Sequence, residues 1–113
     1  MGTESRKQHR IAVALEVRVR GKDRYGFPFE EATASHDVSR GGCSIQISHE
    51  VDAGSELEIE ILRRTVGRRG LIPFLTTGVV VRTIQGEPDQ YTLAIQFTGP
   101  QFPAFSREDT TGG

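Results

Sequence analysis

Cysteine occurs once in this chain of 113 residues, at Cys43. No disulfide framework is therefore available, and such cysteine usage fits a reducing cytosol. No apolar run approaches transmembrane length, and Met1-Gly2-Thr3-Glu4-Ser5 has no signal-peptide character. A cytoplasmic protein without membrane insertion is expected. An excess of one charge is also missing: the formal net charge is -1, which argues against a generic polyanion binder while leaving room for a local basic site. The signatures of catalysis are absent too. His9, His36 and His49 are scattered without metal-ligand spacing, and Ser39 stands in Val38-Ser39-Arg40-Gly41 rather than in a Gly-x-Ser-x-Gly elbow. There is no Gly-x-Gly-x-x-Gly and no phosphate loop with its Lys. Neither an enzyme, nor a cofactor, nor a metal site is expected. The length leaves room for one domain, and 35% apolar with 26% charged residues describes a globular chain.

What is present is alternation. Ile11, Val13, Leu15, Val17 and Val19 alternate with Ala12, Ala14, Glu16, Arg18 and Arg20, a half-buried strand that Gly21-Lys22-Asp23 is expected to break. Pro28 between Phe27 and Phe29 marks an edge or bulge where the next strand begins, and that strand ends in a turn over residues 37–42. Cys43, Ile45 and Ile47 share one face of a third strand, with Cys43 as a small hydrophobe. Leu57, Ile59 and Ile61 alternate with Glu56, Glu58 and Glu60, and the two isoleucines decide this segment for strand over helix. The glutamate row reads as a solvated face that discourages edge pairing. Arg63 to Pro73 reads as a basic loop punctuated by Gly67 and Gly70, followed by a strand from Phe74 to Ile84. Gly86-Glu87-Pro88-Asp89 is a hairpin turn. Tyr91, Leu93, Ile95 and Phe97 form the last strand, and Phe102-Pro103-Ala104-Phe105 is expected to lie as an aromatic lid against the sheet. About six strands without a convincing helix predict an all-β fold, a small antiparallel barrel or sandwich. Residues 1–10 read as a flexible N-terminal arm, 11–105 as the barrel and 106–113 as a disordered tail.

Two short stretches carry chemistry. Arg6 and Arg10, with Lys7 between them, make a concentrated positive arm just before the first strand. Guanidinium forks bind phosphate bidentately and stack flat on purine rings. His36-Asp37-Val38-Ser39-Arg40-Gly41-Gly42 packs short polar side chains, a cation and a glycine pair into one turn. Asp and Ser brace such turns, and glycine permits positive φ or close backbone approach. The arm alone reads as an ordinary basic terminus, and the turn alone as a well-made β turn.

Together, Arg6-x-x-x-Arg10 and Asp37-x-Ser39-x-x-Gly42 resemble the two signature motifs of the PilZ domain family, bacterial receptors for the second messenger cyclic di-GMP. The resemblance covers roughly residues 4–97. It implies a six-stranded antiparallel β-barrel of the split-barrel type, and a non-catalytic domain signalling to a protein partner or fused effector domain. Carried over position by position, Arg6 and Arg10 are implied to hold the phosphates and meet the guanines, and Asp37 to accept hydrogen bonds from a guanine edge. Ser39 is implied to bond ligand or brace the turn, Gly42 to keep the backbone close, and Arg40 to add a contact. Such chains commonly finish with a helix after the last strand; here the stretch after Phe97 is short.

Two other classes remain as rivals. One is a protein-interaction adaptor of the same fold that binds no nucleotide. The other is single-stranded nucleic-acid binding, to which the arginines of the 63–69 stretch lend some support. That reading is disfavoured because basic and aromatic residues do not alternate on one strand face.

Overall fold

The computed structural model describes residues 14–64 and 71–103. Among them lie six strands: β1 (Glu16–Lys22), β2 (Pro28–Ser39), β3 (Gly42–Ile47), β4 (Glu56–Arg64), β5 (Leu71–Gln85) and β6 (Tyr91–Phe97). All neighbours are antiparallel, and the sheet closes in the order β1-β2-β3-β6-β5-β4. Closure pairs every strand on both sides over part of its length, leaving single-sided stretches such as β2 before Ser35 and β5 before Gly78, which narrows the usual route to strand-mediated association.

The apolar side of each alternating pattern faces inward. Val17 and Val19, Ile45 and Ile47, Leu57, Ile59 and Ile61, Val80, Leu93 and Ile95 are buried in one cluster. Burying an aliphatic side chain of this size stabilises by roughly 1.5–3 kcal/mol, so this cluster is the main source of the barrel's stability. Two bulges adjust the register, one between Ser35 and Asp37 on β2 and one between Val80 and Arg82 on β5. An extra residue of this kind bends its strand and re-aims the side chains beyond it.

Several boundaries depart from the expectations drawn from the sequence. β1 runs through Gly21 and Lys22, which pair with Phe29 and Pro28 across the hairpin instead of breaking the strand. Asp37, Val38 and Ser39 belong to β2, and the turn is reduced to Arg40 and Gly41. Arg63 and Arg64 end β4 and pair with Ile72 and Leu71 of β5, so both ends of the predicted basic loop are strand, and its residues 65–70 lie outside the described residues. Pro73 sits inside β5, but β6 joins β5 only from Gly78 onward. Pro73 therefore has a strand neighbour on one side only, where proline is tolerated. The glutamate row is not on an edge: β4 pairs with β1 and β5, setting Glu58 opposite Arg20 and Glu60 opposite Arg18.

Chain direction sorts the connections between two ends. The start of β1, the β2–β3 turn, the β4–β5 connection and the end of β6 share one end, called here the motif end. The β1–β2 hairpin, the β3–β4 loop and the β5–β6 hairpin share the other. Phe102 closes the motif end: it is buried, and its ring meets Phe74 edge-on at 5.2 Å. The lid expected at Phe102 is present, while Ala104 and Phe105 lie outside the described residues. Among the described residues, no helix is long and apolar enough to cross a membrane.

Candidate nucleotide-binding end of the barrel

The fixed half of the predicted site is a strand end, not a loop. Asp37 pairs with Ser44 and Val38 with Cys43, so Val38 points into the core and Asp37 to the outer side. The bulge at His36 produces this phase. Without it, the alternation from buried Ser35 would turn Asp37 inward.

Ser39 is 4% exposed and its hydroxyl donates to the Gly42 carbonyl at 3.3 Å, bracing the two-residue turn. The turn is also tied to the end of β6 and the segment beyond it. The Phe97 N–H donates to the Gly41 carbonyl at 2.8 Å, and the Phe102 N–H to the Arg40 carbonyl at 3.0 Å. The exposed Arg40 side chain is thus carried on an anchored backbone.

Gly42 has a reason within the barrel itself. Positive φ among the described glycines occurs at Gly26 and Gly54, not in this turn. A Cβ on Gly42 would overlap the Ile95 carbonyl oxygen of β6. The close approach it permits is therefore to the next strand of the barrel, and the motif glycine is a packing requirement.

The mobile half predicted from sequence, Arg6 and Arg10, lies outside the described residues. Where that segment joins the barrel is defined, however. The Leu15 N–H donates to the Ser35 hydroxyl at 3.0 Å and the Ser35 N–H donates to the Leu15 carbonyl at 2.9 Å. Ser35, buried at 3% exposure, stands two positions before Asp37. It pins the start of β1 beside the motif strand. Sequence reasoning passed over it as one of several small strand residues, and only a buried hydroxyl in an inward position could have pointed to it.

Cys43 behaves as the sequence indicated. Burial first, and the nearby negative charge of Asp37 second, push its thiol up to about 12. No thiolate is available there near neutral pH.

A concavity of about 580 Å³ lies elsewhere, on the outer face of β1, β4 and β5, lined by Arg18, Arg20, Glu58, Glu60, Leu75 and Pro100 among others. It includes none of the predicted site residues. Its charges answer one another: Arg20 meets Glu58 at 2.9 Å.

The PilZ domain family model matches residues 4–107, and the chain belongs to that family. No curated protein matches it. Among solved structures it is similar to the Bacillus subtilis inhibitor of motility MotI/DgrA, at 18% identity and a TM-score of 0.67 over 87% of this chain and 44% of that one. It is also similar to the PilZ domain of Escherichia coli YcgR with c-di-GMP, at 17% identity and a TM-score of 0.52, covering 84% and 79% of the two chains. A third is MrkH, a c-di-GMP-dependent transcription regulatory factor, at 16% identity and a TM-score of 0.53, covering 84% and 44%. The chain thus spans under half the length of two of these proteins. At such identities the likeness is one of fold.

Proposed function

We propose that this domain is a non-catalytic receptor for cyclic di-GMP. The observation that carries the reading is a convergence at one barrel end. The braced Asp37–Gly42 stretch lies there, and the segment bearing Arg6 and Arg10 joins β1 there, pinned to Ser35. The family supports it, as does the YcgR domain of the same fold with c-di-GMP.

The chemistry is coherent. Cyclic di-GMP offers two phosphates and two guanine edges. Arg6 and Arg10 supply guanidiniums for the phosphates and flat surfaces for the purines, and Asp37 supplies an outward carboxylate for guanine N–H donors. Each charge-assisted hydrogen bond contributes roughly 1.5–3 kcal/mol. Several of them together reach the roughly 8 kcal/mol that micromolar affinity requires once ordering costs are subtracted. Ligand binding then orders the arm against the barrel, and a cytoplasmic partner or fused domain reads the change.

Calorimetry with cyclic di-GMP, beside GTP and a linear dinucleotide, tests this. Selective binding that Arg10→Ala and Asp37→Ala abolish is expected. No heat above background at high micromolar ligand would sink the reading. Undiminished capture of a protein partner by a chain with both arm arginines changed to Ala would favour the adaptor instead.

A further inference from the structure

We propose that Arg63 is an additional oxyanion-binding residue of the motif end, taking a phosphate of the bound nucleotide. The inference rests on the receptor reading above.

Arg63 continues the inward row of β4. Leu57, Ile59 and Ile61 precede it at every second position and are all buried aliphatics. A guanidinium at the next inward position is out of keeping with its row. The side chain is half-buried, and its Nε is shielded from solvent without a hydrogen-bond partner. Among the described residues it joins no ion pair either, whereas Arg18, Arg20 and Arg24 all do. Unpaired buried N–H groups of a cation are costly and uncommon, and such a group commonly marks a site that another molecule completes.

Its surroundings sharpen the point. On the same inner side at this end stand Leu15, Ile72 and Phe74, with Phe74 close to Phe97 and Phe102. These are apolar groups, which strengthen a charge interaction and offer no anion of their own. The strand register also fixes its position relative to the motif. Glu16 pairs with Leu62, so Leu15, the residue just before β1, neighbours Arg63, and Leu15 is bonded to Ser35 of β2, two residues from Asp37. Arg63 and the motif strand are therefore two inter-strand steps apart, roughly 10 Å. A cyclic dinucleotide spans such a distance, and an arginine stem is long enough to bring a charged head to the rim of an apolar mouth. A fork with two parallel donors suits a phosphate edge.

The test monitors the Nε–H resonance of Arg63 in the wild-type protein, identified by its absence from both Arg63→Gln and Arg63→Lys. Cyclic di-GMP and, separately, inorganic pyrophosphate are titrated in. A saturable shift with both ligands is expected. Arg63→Gln should weaken cyclic di-GMP binding roughly 10- to 100-fold without lowering the urea midpoint, and Arg63→Lys should fall between. If the wild type binds cyclic di-GMP while this resonance stays still and Arg63→Gln binds normally, Arg63 has no such role and the receptor reading stands. If cyclic di-GMP does not bind but pyrophosphate moves the resonance, the receptor reading fails and the oxyanion site stands. If neither ligand moves it, the assignment of Arg63 is overturned.

Discussion

The two ends of the barrel carry similar residues and treat them differently. At the end away from the motif, charges and polar groups close on one another. Arg24 meets Glu50 at 2.6 Å and Asp52 at 3.8 Å, and the Arg24 guanidinium is held further above its usual range, first by the Glu50 hydrogen bond. Glu31 accepts from the Ser48 N–H and hydroxyl and meets His49 Nδ1 at 2.7 Å, while the His49 ring stacks on Phe29 at 4.5 Å. At the motif end, Arg40 is exposed and Arg63 half-buried, and neither joins an ion pair among the described residues. A compensated cluster has little left to offer a ligand, because an incoming anion must first displace a partner. An uncompensated one gains from the arrival of an anion. Charge that is present but unanswered, rather than charge alone, is what sets the motif end apart.

The largest expected effect breaks this contrast at the motif end. Arg10→Ala and Asp37→Ala should each reduce cyclic di-GMP affinity at least about 100-fold, near 3 kcal/mol, while Arg24→Ala at the other end leaves the calorimetric isotherm unchanged. Equal losses from both ends would dissolve the comparison. Next comes Gly42→Ala. Its new methyl meets the Ile95 carbonyl, part of a strand that cannot move alone. A stability loss of about 2–3 kcal/mol is expected from the urea midpoint, and an unchanged midpoint would contradict the packing role.

Cys43 supplies a pH test. Its folded-state value of about 12 stands above its ordinary 9.0. The protonated folded form is favoured, so its contribution is complete below pH 9 and is lost as pH rises from about 9 to 12. Cys43→Val should show a shallower alkaline loss of stability over that window than the wild type. Parallel curves would argue against a buried neutral thiol.

Ser35→Ala removes the acceptor for the Leu15 N–H, for roughly 1–2 kcal/mol, with faster amide exchange at Leu15 than at Val19. Uniform exchange at the two would show that Ser35 does not pin the start of β1. The smallest effect belongs to the exposed β1–β4 face. A double-mutant cycle on Arg20 and Glu58 should return under about 1 kcal/mol and leave ligand affinity alone.

The legible part of the fold was the part written in alternation. β6 was readable end to end, since Tyr91, Leu93, Ile95 and Phe97 all face inward and are buried. The ends of β4 and β5 were not, because arginine, glycine and proline carry turn-like preferences that the 62–64 and 71–73 pairing overrides. Of the candidate site, Asp37, Ser39 and Gly42 were legible as a motif, with Arg40 at one of its variable positions. Ser35 and Arg63 were not: one looks like a small strand residue, the other like part of a basic loop.

By itself the sequence determined the strand count and the inward faces, while the arginine arm and the Asp-Ser-Gly turn were joined only as an expectation by a family resemblance. Those rest on period-two burial and on residue types whose chemistry is local. Tertiary structure alone decided that a bulge at His36 turns Asp37 outward, that Gly42 yields to β6, and that Arg63 stands unanswered at the motif end. These depend on which strands become neighbours when the sheet closes, and neighbourhood across a barrel is set by register and closure rather than by distance along the chain.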